Sequence, residues 1–223
     1  MYEICFVILN QLVFRHLGLV DYLETWQKMK NFVQDRTADL DEIWFCEHPS
    51  VFTVGRQGSP SHLLNPQDVP VVHTDRGGEV TYHGPGQIVV YPLIHLRKRG
   101  LLPKAYLEAL ESAVIDTLKE IGIIGFLVSG APGVYVQGPD CSGPFNGAKK
   151  ICSIGIRISN DCTYHGLSLN FDADLSFFER INPCGYKGLK TANIKSLNSA
   201  CSKQEIIKIL ERKLSEYLIE KKH

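Results

Sequence analysis

The chain has 223 residues, with 24 Lys and Arg against 24 Asp and Glu, so its formal net charge at pH 7 is zero. With 44% apolar and 22% charged residues, it reads as one globular domain over residues 1–223, burying about 70% of the surface its unfolded chain exposes. The zero balance gives no global attraction to nucleic acid or membranes, and no apolar run approaches the ~18 residues of a membrane span.

Residues 1–9 lack the basic and cleavage features of a signal peptide, and the Arg-rich character of a transit peptide. The seven cysteines are odd in number, scattered, and without a Cys-x-x-Cys pair. That argues against a disulfide framework and a zinc site, and makes a reducing, cytoplasmic location the expectation. No metal or cofactor is expected. Between Lys187 and Lys222 nine Lys or Arg face four Glu, which suits either a solvated helix face or a docking surface for an acidic partner.

In chain order, Tyr22, Trp26, Met29 and Val33 recur at helical spacing behind Asp21 and Glu24, a capping-box pair. Residues 43–47 and 51–54 are short β-type runs around the turn His48-Pro49-Ser50, and a polar connection follows over 55–70. Residues 79–83 and 87–91 are strand-like around Gly84-Pro85-Gly86 and read as a hairpin. A second helix is expected over 104–121, with Pro103 at its start and Gly122 after its end. Residues 133–136 form a strand, and 139–147 a surface loop. A last helix starts at Ser202, with Glu205 completing a capping box. These elements predict an α+β fold, a single domain with a mixed, mainly antiparallel sheet and packed helices.

Residues 76–87 hold four glycines in twelve positions. They match neither a phosphate loop nor a dinucleotide fingerprint. The glycines bracket a strand, so Val80, Tyr82 and the strand backbone are candidates to line a narrow apolar slot; a plain hairpin is the competing reading. His83 reads either as a hydrogen-bonded structural histidine or as a base. His165, in register with Leu167 and Leu169, reads as core or pocket wall.

Lys150 heads the alternation Cys152, Ile154, Ile156, Ile158, while Lys149 shares parity with Ser153, Gly155 and Arg157. Unless a bulge intervenes, Lys150 points inward and Lys149 toward water. Burial lowers a lysine's pKa and would make Lys150 a usable base; two surface lysines ending a loop remain the competing reading. The same parity retires Cys152 to the core. Cys162 lies in a turn without a charged partner nearby in sequence. Cys184 sits between Pro183 and Gly185 with Lys187 and Lys190 following, a setting that favours thiolate, although a structural cysteine also fits.

Taken together, residues 76–87, Pro132-Gly133-Val134-Tyr135-Val136, residues 150–157, His165-Gly166-Leu167-Ser168-Leu169-Asn170 and Asn182-Pro183-Cys184-Gly185 resemble the lipoyl(octanoyl) transferase family. Its fold is that of the biotin/lipoate protein ligase-like superfamily. The resemblance implies transfer of an octanoyl or lipoyl group from acyl carrier protein to a specific lysine of lipoyl domains. The acceptors would be those of 2-oxoacid dehydrogenases and the glycine cleavage H protein. It makes Cys184 the acyl-thioester nucleophile and Lys150 its activating partner. It also implies substrate binding by Arg76, Gly77, Gly78, Glu79, Val80, Thr81, Tyr82 and His83, by Ser153, Ile154 and Gly155, and by Gly166, Leu167 and Ser168. The 139–147 loop is longer than the family pattern. Two other readings stand beside this one: an ATP-dependent lipoate or biotin protein ligase, and a catalytically idle acyl-binding module.

Overall fold

The computed structural model describes residues 6–9, 12–35, 40–139 and 143–219. In chain order it has β1 (Phe6–Leu9), β2 (Leu12–Leu19), α1 (Tyr22–Gln34), β3 (Asp41–Glu47), β4 (Val51–Val54), β5 (Val71–His73), β6 (Val80–His83) and β7 (Gln87–Leu93). Then follow α2 (Pro103–Glu120), β8 (Gly125–Val128), β9 (Ala131–Gln137), β10 (Ala148–Ser159), β11 (Cys162–Asn170), α3 (Ile194–Leu197) and α4 (Lys203–Ile219). The start signals act as chemistry requires. Asp21 accepts the Glu24 N–H at 3.0 Å, Pro103 opens α2, and Ser202 Oγ accepts the Glu205 N–H at 3.2 Å. Each such cap stabilises its helix by about 1 kcal/mol.

The strands form an eight-stranded sheet in the order β1-β2-β3-β7-β11-β10-β9-β8 and a small sheet in the order β5-β4-β6. Pairing is antiparallel except for β2 with β3 and β4 with β5, which makes the expected mixed, mainly antiparallel α+β domain. One face of the large sheet is covered by α2 and α4, whose Leu110, Val114, Leu118, Ile206, Leu210 and Leu214 pack on Val90, Val134, Leu167 and Leu169. On the other face Met29 and Val33 of α1 meet Trp44, Val89, Tyr91 and Leu93. Tyr22 and Trp26, at the start of α1, pack on Val51 and Val72 of the small sheet. Helix α1 thus joins the two sheets at one end and leaves a cleft between them.

The sequence reading needs two corrections here. First, β6 and β7 are not a hairpin. β6 pairs with β4 in the small sheet, while β7 pairs with β3 and β11 in the large one. Gly84-Pro85-Gly86 is therefore the corner by which the chain changes sheets. Gly86 has φ +88°, and a Cβ there would lie 2.2 Å from the Asp172 carbonyl oxygen. Second, β5 and β8 are real strands in stretches that lack a clear alternation. Each is only three or four residues long and is specified by its neighbour rather than by its own pattern.

The corner yields a prediction. Gly86→Ala combines a left-handed backbone with a clash against backbone that cannot step aside, so urea denaturation should show a loss of about 3 kcal/mol. An unchanged midpoint would mean that the chain crosses between sheets differently.

Candidate active site

Lys150 and Cys184, separate in sequence, touch. Lys150 Nζ donates to Cys184 Sγ at 2.7 Å and to the Pro132 carbonyl at 2.7 Å, and stands 5.2 Å from the centre of the Tyr135 ring. The lysine is 1% exposed. The route to this burial differs from strand parity. The pairing of β10 with β9 shifts between Lys150, opposite Tyr135, and Cys152, opposite Val134. Ile151 is thus the extra residue of a β-bulge, and Ile151 and Cys152 both join the core under α2 and α4. The bulge puts Lys150 on the opposite face, with Tyr135 and the Cys184 loop. Lys149, opposite Val136, is the half-buried one on the helix side.

Gly133 makes room for the lysine. It has φ +116°, and a Cβ there would lie 2.4 Å from the Cys152 carbonyl oxygen and 2.8 Å from Lys150 Cε. Its N–H donates to Glu111 Oε1 at 3.0 Å, where burial raises the carboxyl's pKa. The Cys184 loop is stitched to the same strand. Lys150 N–H donates to the Lys190 carbonyl at 2.9 Å and Ala192 N–H to the Lys150 carbonyl at 3.0 Å. On its other side Asn182 N–H reaches the His62 carbonyl at 2.8 Å. Cys184 itself has φ +55°, a conformation that a non-glycine residue adopts only when its surroundings impose it.

Among the described cysteines, Cys46, Cys152, Cys162 and Cys201 are buried and Cys184 alone is half-buried. Cys162, expected in a turn, is the first residue of β11 and lies in the core. Burial pushes the Cys152 thiol up to about 12, which suits an inert core residue. Burial also pulls the Lys150 pKa down, as anticipated, but Cys184 and Tyr135 outweigh it. The net pKa stands above the ordinary lysine value, so the lysine is held as an ammonium beside the sulfur, not as the free base that burial alone would give.

Cys184 opens onto two cavities. The inner one, about 40 Å³, is a single-file slot between the sheets, lined by Thr81 and His83 of β6, Ser153 to Gly155 of β10 and Gly166 to Ser168 of β11. The outer one, about 460 Å³, is an open cleft bordered by Gly77, Leu107, Pro132 and Tyr186. Of the residues expected to bind substrate, Arg76, Gly78, Glu79, Val80, Thr81, His83, Ser153, Ile154, Gly155, Gly166, Leu167 and Ser168 border the slot, and Gly77 borders the cleft. Tyr82 does not line the slot. Strand alternation turns it to the far face of the small sheet, where it stacks on Phe177 at 4.6 Å and bonds Ser50 Oγ at 2.9 Å.

Arg76 is a buried brace. Its guanidinium donates to Thr53 Oγ1 and to the carbonyls of Thr53, Gly77 and Glu79, between 2.6 and 3.1 Å, and so shapes the glycine-rich turn. Sequence reading also missed Tyr22, Asp75 and Tyr91. Tyr22 stacks on His83 at 5.6 Å and Tyr91 bonds His48 Nε2 at 2.8 Å, and both line the slot. Asp75 accepts from Trp26 Nε1 at 3.0 Å, from His165 Nε2 at 2.9 Å and from the Tyr164 hydroxyl. Their only sequence signal is position: Tyr22 in the helix stripe, and Asp75 next to the glycine-rich run.

The comparisons bear on this site. A family model described as the lipoyl protein ligase A/B catalytic domain matches residues 21–215. The chain belongs to this family. A relative named octanoyltransferase, from Polaromonas naphthalenivorans, is 48% identical over 92% of this chain and 97% of its own length. In fold the chain is similar to a bipartite lipoate protein ligase from Thermoplasma acidophilum, with a TM-score of 0.67 at 15% identity, covering 93% of this chain and 82% of that one. It is also similar to biotin protein ligase from Aquifex aeolicus, with a TM-score of 0.56 at 13% identity and coverage of 96% and 73%. In this member of the family, the side chains that meet beside the slot are a lysine and a cysteine.

The basic C-terminal part is largely paired within the fold. Lys203 pairs with Glu47, Arg212 with Glu120 and Glu216, Lys213 with Glu216, and Lys190 with Glu179. Lys221 and Lys222 lie outside the described residues.

Asp75 gives the testable consequence. Burial alone would raise its pKa, yet the His165, Tyr164 and Trp26 donors hold it well below the ordinary carboxylate value of 3.8. A depressed acid stabilises the fold above its unfolded pKa, and that contribution drains away as pH falls. Asp75→Asn should therefore cost roughly 2 kcal/mol at pH 7, and the deficit should shrink as pH falls through 3.8. Urea denaturation at pH 7, 5 and 3.5 reads it; a pH-independent deficit would remove the ionised carboxylate from the account.

Proposed function

We propose that this chain is an octanoyltransferase of protein lipoylation that works through a thioester on Cys184, with Lys150 as its proton partner. The contact between Lys150 Nζ and Cys184 Sγ carries this reading. An ammonium aimed at sulfur, beside a narrow slot, is a site for acyl exchange. The family match and the relative's name support the octanoyl group.

In the first half-reaction the Cys184 thiolate attacks the thioester carbonyl of an acyl carrier. The carbon–sulfur bond to the carrier breaks, Lys150 protonates the departing thiolate, and the acyl chain remains on Cys184. One thioester replaces another, so no ATP is consumed. Acylation removes the anionic partner that held the lysine's proton. The buried, now neutral amine is then the base that takes a proton from the attacking lysine of a lipoyl domain. As the amide forms, the Cys184 thiolate returns opposite a recharged Lys150. Octanoyl-acyl carrier protein is the donor and a lipoyl domain the acceptor. Both arms reach Cys184 through the outer cleft, which Cys184 and Gly77 both border. An ATP-dependent ligase would have no task for a sulfur held on this lysine.

Intact mass after incubation with octanoyl-acyl carrier protein is the test. Wild type and Cys152→Ala should gain one octanoyl group and Cys184→Ala none. An adduct that persists in Cys184→Ala, or vanishes in Cys152→Ala, overturns the assignment. At pH 7 Lys150→Ala should slow alkylation of Cys184 by iodoacetamide about a hundredfold; unchanged alkylation would strip Lys150 of its role.

A further inference from the structure

His165 was expected to continue the apolar register of Leu167 and Leu169. It does not. Its φ of +56° belongs to the left-handed region and breaks the alternation, so the imidazole turns from the helix-covered face to the slot. The residue is 1% exposed and stacked beside Tyr164 at 5.1 Å. A strained, buried polar side chain facing a cavity calls for a functional account.

Its chemistry is fixed by Asp75. The carboxylate accepts from Nε2, and burial keeps the ring neutral by lowering its pKa, so the remaining nitrogen, Nδ1, carries a lone pair. That atom is buried and has no hydrogen-bond partner. The lining of the slot therefore includes a residue with an unmet acceptor.

Cys184 and His165 line the same slot. Gly133, whose Cβ position lies 3.3 Å from Lys150 Nζ, pairs with Ser153, while His165 pairs with Ile156. From Gly133 to His165 is therefore three residues along the sheet and two strands across it, roughly 14 Å between backbones. An acyl chain held on Cys184 that enters the slot runs toward His165.

We propose that His165, oriented by Asp75, reads the far end of the acyl chain: its Nδ1 lets the slot take an eight-carbon acyl thioester ending in a hydrogen-bond donor, such as a hydroxyl, alongside plain octanoyl, and stops longer saturated chains. This rests on the acyl-transfer reading above.

The test is a competition for Cys184 among octanoyl, 8-hydroxyoctanoyl and dodecanoyl pantetheine thioesters, read as intact mass, with ratios taken within each protein so that a general change of activity cancels. Wild type should load 8-hydroxyoctanoyl within about threefold of octanoyl, and dodecanoyl at least about thirtyfold less. An apolar slot end would reject the hydroxyl about thirtyfold or more, because the hydroxyl would be buried unpaired. His165→Phe should lower the 8-hydroxyoctanoyl to octanoyl ratio about tenfold. Rejection of 8-hydroxyoctanoyl by wild type overturns the proposal without any variant having to fold, and so does a ratio unmoved in His165→Phe. Failure of every thioester to load Cys184 overturns the acyl-transfer reading itself, which a normal octanoyl adduct with the wrong ratio leaves intact.

Discussion

The site depends on one backbone irregularity, the extra residue at Ile151. Without it β10 would run in simple alternation and Lys150 would point under α2 and α4, among Cys152, Val134 and Leu169, away from Cys184. With it, the lysine crosses to the face where Tyr135, Pro132 and the Cys184 loop wait. A buried ammonium costs several kcal/mol unless it is paired and hydrogen-bonded. Here it is both, so lysine and cysteine are one electrostatic unit that neither sustains alone. The features around them follow from that need: Gly133 clears the lysine's path, Cys184 is held at positive φ, and the loop's return is bonded to the backbone of Lys150.

The slot beside this pair is a product of topology. A hairpin at residues 79–91 would have left a single surface with nothing facing it. Because the chain changes sheets at Gly84-Pro85-Gly86, β6 is delivered opposite β10 and β11, and the gap between the sheets becomes a channel. Arg76 braces the other end of β6 by donating to three carbonyls, so the glycine-rich turn keeps its form without a side chain to pack.

Much of this was legible beforehand and some was not, for physical reasons. Helices α1, α2 and α4 announce themselves because caps and a 3.6-residue stripe are local properties, and Cys184 stands out because turn residues flank it. Parity expected Lys150 to be the buried lysine, and it is, but on the opposite face, since a bulge is written in the pairing of two strands and not in either strand's composition. The same holds for His165, whose positive φ breaks a register that its neighbours continue. Tyr82 was misplaced because hydrophobicity does not say which of two buried faces a strand residue joins. Asp75 was missed because its partners, Trp26, Tyr164 and His165, come from two distant segments.

The fold is similar to those of lipoate and biotin protein ligases, and a shared scaffold does not dictate a shared reaction. What distinguishes a thioester-exchange site is a charge that can vanish and return. In the proposed mechanism the attraction of an anionic sulfur outweighs burial and the proton stays on Lys150. Acylation of the sulfur would remove that attraction, and the same burial that was a cost would drive the proton off. On this proposal, burial of the lysine, wasteful in a purely structural ion pair, is what would make one residue an acid for the first transfer and a base for the second.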